Sequence, residues 1–92
     1  MIISGIDKSN NLKVLKNNTD IKDLEIKNLS LDDDWSLIAK AKNLENLTIK
    51  DSYIDYKKFY NAICSLKKLN KLTYNNYCYF NKNKKDKFLK NL

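Results

Sequence analysis

Residues 21–31 read IKDLEIKNLSL, residues 44–54 read LENLTIKDSYI, and residues 69–79 read LNKLTYNNYCY. Stacked on their first residues, the three segments carry apolar side chains at positions 1, 4, 6 and 11. Position 1 is Ile21, Leu44 and Leu69; position 4 is Leu24, Leu47 and Leu72; position 6 is Ile26, Ile49 and Tyr74; position 11 is Leu31, Ile54 and Tyr79. A chain that is 42% hydrophobic would not fill all twelve slots by chance. Position 8 is a turn former in each case, Asn28, Asp51 and Asn76. The segments recur after 23 and then 25 residues, and a further 23 reaches Leu92. Self-similarity at such a period is the mark of a stack of small units, none able to bury its apolar face alone.

The remainder of each period reads as helix. Acidic residues, Asp32 to Asp34 in one unit and Asp55 in the next, stand where helix capping and dipole compensation expect them. Trp35, Ile38 and Ala41 follow at intervals of three, as do Tyr60, Ile63 and Leu66, with Phe59 beside them. Upstream, Leu12 and Leu15 fall in register with Trp35 and Ile38, and Ile3 with Ile26, while Asn18 replaces the last core residue. Four units result, at about 1–20, 21–43, 44–68 and 69–92, forming a single domain.

Residues 21–31, 44–54 and 69–79 resemble the leucine-rich repeat, L-x-x-L-x-L-x-x-N/C-x-L, and with the intervening helices the resemblance spans nearly the whole chain. It departs at position 9, where the family's Asn or Cys is here Leu29, Ser52 or Tyr77, with Asn or Asp one place earlier. The variable period is that of short irregular repeats, and the composition resembles products of A/T-rich eukaryotes or large insect DNA viruses. The resemblance implies an α/β solenoid with a short parallel sheet on its concave face and helices on its convex face. It also implies a non-enzymatic module that binds another protein through its curved surface. Strand alternation sends positions 4 and 6 inward and positions 3, 5 and 7 outward. The candidate partner-binding residues are therefore Asp23, Glu25 and Lys27, then Asn46, Thr48 and Lys50, then Lys71, Thr73 and Asn75.

The net charge of +7 comes entirely from Lys, with no Arg, in a chain also rich in Asn, Ile and Tyr. These are residues of A- and T-rich codons, which weakens the charge as a sign of nucleic acid. Its distribution is more telling: residues 1–55 hold eight Lys against ten Asp and Glu, a net of −2, and residues 56–92 hold ten Lys against Asp86, a net of +9. The segment 81–92 can be drawn as a basic patch, with Tyr77 and Phe80 as loose rings, and this gives the alternative function: an accessory protein binding nucleic acid or an anionic surface. The same segment reads more simply as a last helix, with Phe88, Leu89 and Leu92 covering the stack and the Lys in water.

No catalytic, cofactor or metal constellation emerges. Without His there is no Ser–His or Cys–His pair. The single Gly5 does not make a phosphate-cradling loop, and Asp32–Asp34 lack the alternation of a calcium loop. Cys64 and Cys78 lie in apolar contexts and read as buried free thiols, with a disulfide between them as the lesser alternative. No apolar run approaches the ~20 residues of a membrane span, and an intracellular, cytoplasmic setting is expected. At the N-terminal end Ile2, Ile3 and Ile6 precede any charged side chain. An apolar strand edge of that kind invites a homodimer.

Overall fold

Leu24, Leu47 and Leu72 are neighbours across one sheet, and so are Ile26, Ile49 and Tyr74. The computed structural model describes residues 1–5, 11–75 and, as backbone strand, 77–80. Its sheet has five strands in sequence order: β1 (Ile2–Ser4), β2 (Asp23–Lys27), β3 (Asn46–Lys50), β4 (Lys71–Tyr74) and β5 (Tyr77–Phe80). The first four are parallel, and the last returns antiparallel to β4. The fold is α/β, and among the described residues no helix is long and apolar enough to cross a membrane.

Burial alternates along β2 and β3 as expected, with Leu24, Ile26, Leu47 and Ile49 inward. The units repeat at the level of single bonds. The amides of Asn18, Ala41 and Leu66 donate to the carbonyls of Leu15, Ile38 and Ile63 at 3.3, 3.1 and 3.1 Å. The Lys22 carbonyl accepts from the amides of Glu45 and Asn46, and the Glu45 carbonyl from those of Asn70 and Lys71. Gly5 lies against the next unit so closely that a Cβ there would fall 2.0 Å from the Asn28 carbonyl oxygen. The glycine thus serves backbone approach between units.

The helical segments differ from expectation in kind. Asn11–Asn17 and Trp35–Lys40 are 3₁₀ helices; among the described residues only α1 (Tyr56–Ser65) is an α-helix. The reason lies in the spacing. Three residues per turn put Trp35, Ile38 and Ala41 on one line, and all three are fully buried. In the longer, 25-residue unit the buried set is Phe59, Ala62, Ile63 and Leu66, an i, i+3, i+4, i+7 stripe that only an α-helix presents on one face. Phe59 therefore takes the core place expected for Tyr60, which is half-buried, and meets Trp35 edge-on with ring centroids 5.9 Å apart. Cys64 falls off that stripe and is exposed, contrary to the expected buried thiol. Cys78 lies on β5, and its side chain is outside the described residues.

Two further expectations are corrected. Leu31 is 59% exposed, and the neighbouring Leu29, at 2%, fills the core in its place. The loop there is drawn inward around Asp33, a buried carboxylate that accepts from the Ser30 amide at 2.9 Å and from Asn11 Nδ2, one unit away, at 2.9 Å. Asp33 is thus a cross-link between units, while Asp34 and Asp55 do cap, accepting from the amides of Ser36 and Lys58. The fourth unit also breaks pattern. Asn28 and Asp51 end β2 and β3 in the left-handed region, φ 59° and 49°, but after β4 the positive φ comes one residue early, at Asn75 (47°). The chain then turns back as β5, antiparallel to β4. The side chain of Tyr79 and the whole of segment 81–92, with its expected covering helix and its Lys, lie outside the described residues.

Candidate functional site: the solvent face of the sheet

Residues at positions 3, 5 and 7 gather on the sheet face that points away from the core. Backbone register sets Asp23 beside Asn46 beside Lys71, Glu25 beside Thr48 beside Thr73, and Lys27 beside Lys50. Eight of the nine candidate residues stand on β2, β3 and β4. The ninth, Asn75, sits just past β4 in the turn, where its Oδ1 accepts from the Asp51 amide at 2.9 Å.

The rows are joined by side chains as well as by strands. Asn46 Nδ2 donates to Asp23 Oδ1 at 2.6 Å. Just before the strands, Asn43 Nδ2 donates to Asp20 Oδ1 at 3.2 Å, and Lys68 Nζ donates to Asn43 Oδ1 at 2.8 Å. Glu25 lies between Lys27 (3.3 Å) and Lys50 (3.2 Å). The hydrogen bond from Lys50 holds its carboxyl below the usual range, helped by that from Lys27 and opposed by partial desolvation. The Met1 amino group donates to the backbone carbonyl of Asp23 at 3.0 Å.

Position 9 of the repeat carries a polar side chain in unit 3. Ser52 is buried; its hydroxyl accepts from the Leu29 amide of the preceding unit at 3.0 Å and donates to the Lys50 carbonyl at 2.9 Å. A small hydroxyl thus satisfies loop backbone between units 2 and 3.

At the N-terminal end the apolar edge is smaller than expected. Ile3 is 6% exposed and belongs to the core, Ile2 is 65% exposed, and Ile6 lies outside the described residues. The surface also holds a feature absent from the sequence reading. Tyr56 is exposed and packs against Tyr60 with centroids 5.6 Å apart, at the mouth of an apolar recess between α1 and β4. The recess is lined by Ile54, Leu72 and Tyr74 among others. The displacement of Phe59 into the core is what frees this edge of the helix, and the i+3, i+4 stripe in the sequence carried that signal.

No family model, curated protein or solved structure matches the chain.

Proposed function

We propose that the chain is a leucine-rich-repeat-type solenoid of about four β-α units, acting inside the cell as a non-enzymatic protein-binding module that needs no cofactor. What supports the reading is recurrence in register: equivalent residues of successive units pair across β1 to β4, and equivalent loop bonds close the first three units. The observation that carries the binding role is the solvent face of β2–β4. Its rows of charged, amide and hydroxyl side chains present many hydrogen-bonding groups on rigid strands, the kind of surface that recognises another protein by an array of contacts.

The test is capture from extract of the source cell with the intact chain and with Thr48→Arg, which puts a large cation at the centre of the face. A protein held by the wild type and lost with Thr48→Arg, at unchanged circular dichroism, supports the surface. Equal capture by both chains would exclude it. A salt titration of binding to random DNA addresses the alternative reading: a log–log slope near zero removes it, because phosphate contacts release counterions.

A homodimer through the outer edge of β1 is a second reading, supported by exposed Ile2, and by Met1 just before it, on a strand that pairs only with β2 among the described residues. Sedimentation equilibrium of the wild type and Ile2→Asp decides it. A dimer abolished by the substitution supports the reading, and a monomer in both removes it.

A further inference from the structure

Two rows, one on the solvent face of the sheet and one just before its strands, change charge in the same direction. Read along the stack, the row just before the strands runs Asp20, Asn43, Lys68 and the row on β2, β3 and β4 runs Asp23, Asn46, Lys71. Each goes from acid through amide to base. The amide in the middle is hydrogen-bonded to the acid in both rows, and in the first row also to the base. The opposite charges are thereby held about two strand spacings, ~10 Å, apart, a separation at which salt already screens an exposed pair. The ion pairs among the described residues both belong to Glu25, so Asp20, Asp23, Lys68 and Lys71 are not spent on one another. Stitching neighbouring units together needs only polar partners. It does not require both rows to place acid on the β2 side and base on the β4 side.

Resting on the protein-binding reading above, we infer that this face takes a protein segment whose charge runs the opposite way, with cationic side chains over β2 and anionic ones over β4. The geometry sets the spacing. A segment crossing the strands must separate its two charged groups by about 10 Å, which is about three residues if extended and six or seven if helical. Between them it meets the carbonyl and amino groups of Asn46 and the hydroxyl of Thr48, which suit backbone or small polar groups. A chain of one sign fits poorly: a polyanion meets Asp20 and Asp23, a polycation Lys68 and Lys71. Orientation and partner choice follow from such a pattern more than raw affinity does.

The probe is a displayed library of random 12-residue peptides selected on the intact chain, with the enriched peptides then synthesised. The expected winners carry Lys or Arg and Asp or Glu in two blocks at that spacing. Their binding falls tenfold or more with Asp20→Lys/Asp23→Lys, and likewise with Lys68→Glu/Lys71→Glu. The milder Asp23→Asn and Lys71→Gln weaken it in the same direction if the reversals disturb the fold. Winners of one sign or without charge, still lost with Thr48→Arg, overturn the charge order but leave the face as a binding surface. Winners indifferent to Thr48→Arg overturn both, and no enrichment overturns the inference. Competition by excess unlabelled chain would assign the face to a second copy and overturn it as well.

Discussion

The Ser52 hydroxyl receives the Leu29 amide at 3.0 Å, across the boundary between two units and out of reach of water. The same oxygen returns a hydrogen bond to the Lys50 carbonyl, which also accepts from the Asn28 amide at 3.1 Å, so the group that burial would leave unmet without this side chain is the Leu29 amide. Ser52→Ala should therefore destabilise by about 1–3 kcal/mol, the usual consequence of an unpaired buried polar group. Chemical denaturation measures the loss, and hydrogen exchange should show the Leu29 amide losing protection first. An unchanged midpoint would mean that the loop satisfies this amide another way.

Leu29 and Leu31 provide a paired test of which leucine the core uses. Leu29→Ala should cost about 2–4 kcal/mol, as should Leu47→Ala in the middle of the sheet, because each leaves a cavity among close-packed neighbours. Leu31→Ala should stay within about 0.5 kcal/mol, as exposed substitutions do. Thermal melts of the three variants check this, and a large effect at Leu31 would restore the regular motif register.

Asp55 caps α1 through a long bond of 3.4 Å from the Lys58 amide. Its replacement by Ala should cost about 0.5–1 kcal/mol, the weak end of the range for capping residues. Asp55→Asn, which keeps an acceptor, should recover most of this in the same denaturation assay.

Acid should weaken the fold through carboxyls held below their ordinary values. Glu25 is lowered chiefly by the hydrogen bond from Lys50, and Asp34 chiefly by that from the Ser36 hydroxyl. A depressed carboxyl contributes stability that is complete above its unfolded pKa, about 4, and is lost as pH falls through the lower folded value. The melting temperature should thus be level from about pH 8 to about pH 5 with respect to these groups and decline below about pH 4. The double variant Glu25→Gln/Asp34→Asn should show a shallower decline, since both groups are largely in water and contribute modestly. An identical acid limb in wild type and variant would remove the assignment.

Much of the architecture was legible in the chain. The apolar slots at positions 4 and 6 set the register of β2, β3 and β4, because strand alternation and a buried inner face leave one register that hides Leu24, Leu47 and Leu72 together. The rows of the solvent face follow from the same arithmetic, which is why the outward positions on the strands were readable while Asn75, one residue past β4, was not. The helices were legible as helical but not in their type. Period-three spacing in 23-residue units and the i, i+3, i+4, i+7 stripe of the 25-residue unit distinguish 3₁₀ from α only once burial shows which residues point inward.

Tertiary structure decided what depends on neighbours distant in the chain. Leu29 rather than Leu31 is core because the loop closes on Asp33, whose carboxylate is held by Asn11 from the preceding unit. Gly5 matters because Asn28 lies against it, and Ser52 because Leu29 does. β5 reverses because Asn75 takes the left-handed conformation one residue early, with its amide bound to the Ile49 carbonyl of β3. Hydrophobic periodicity records which side chains leave water, and a sequence carries that locally. Whether a polar group finds its partner depends on distances of about 3 Å between units, and only the assembled stack sets those.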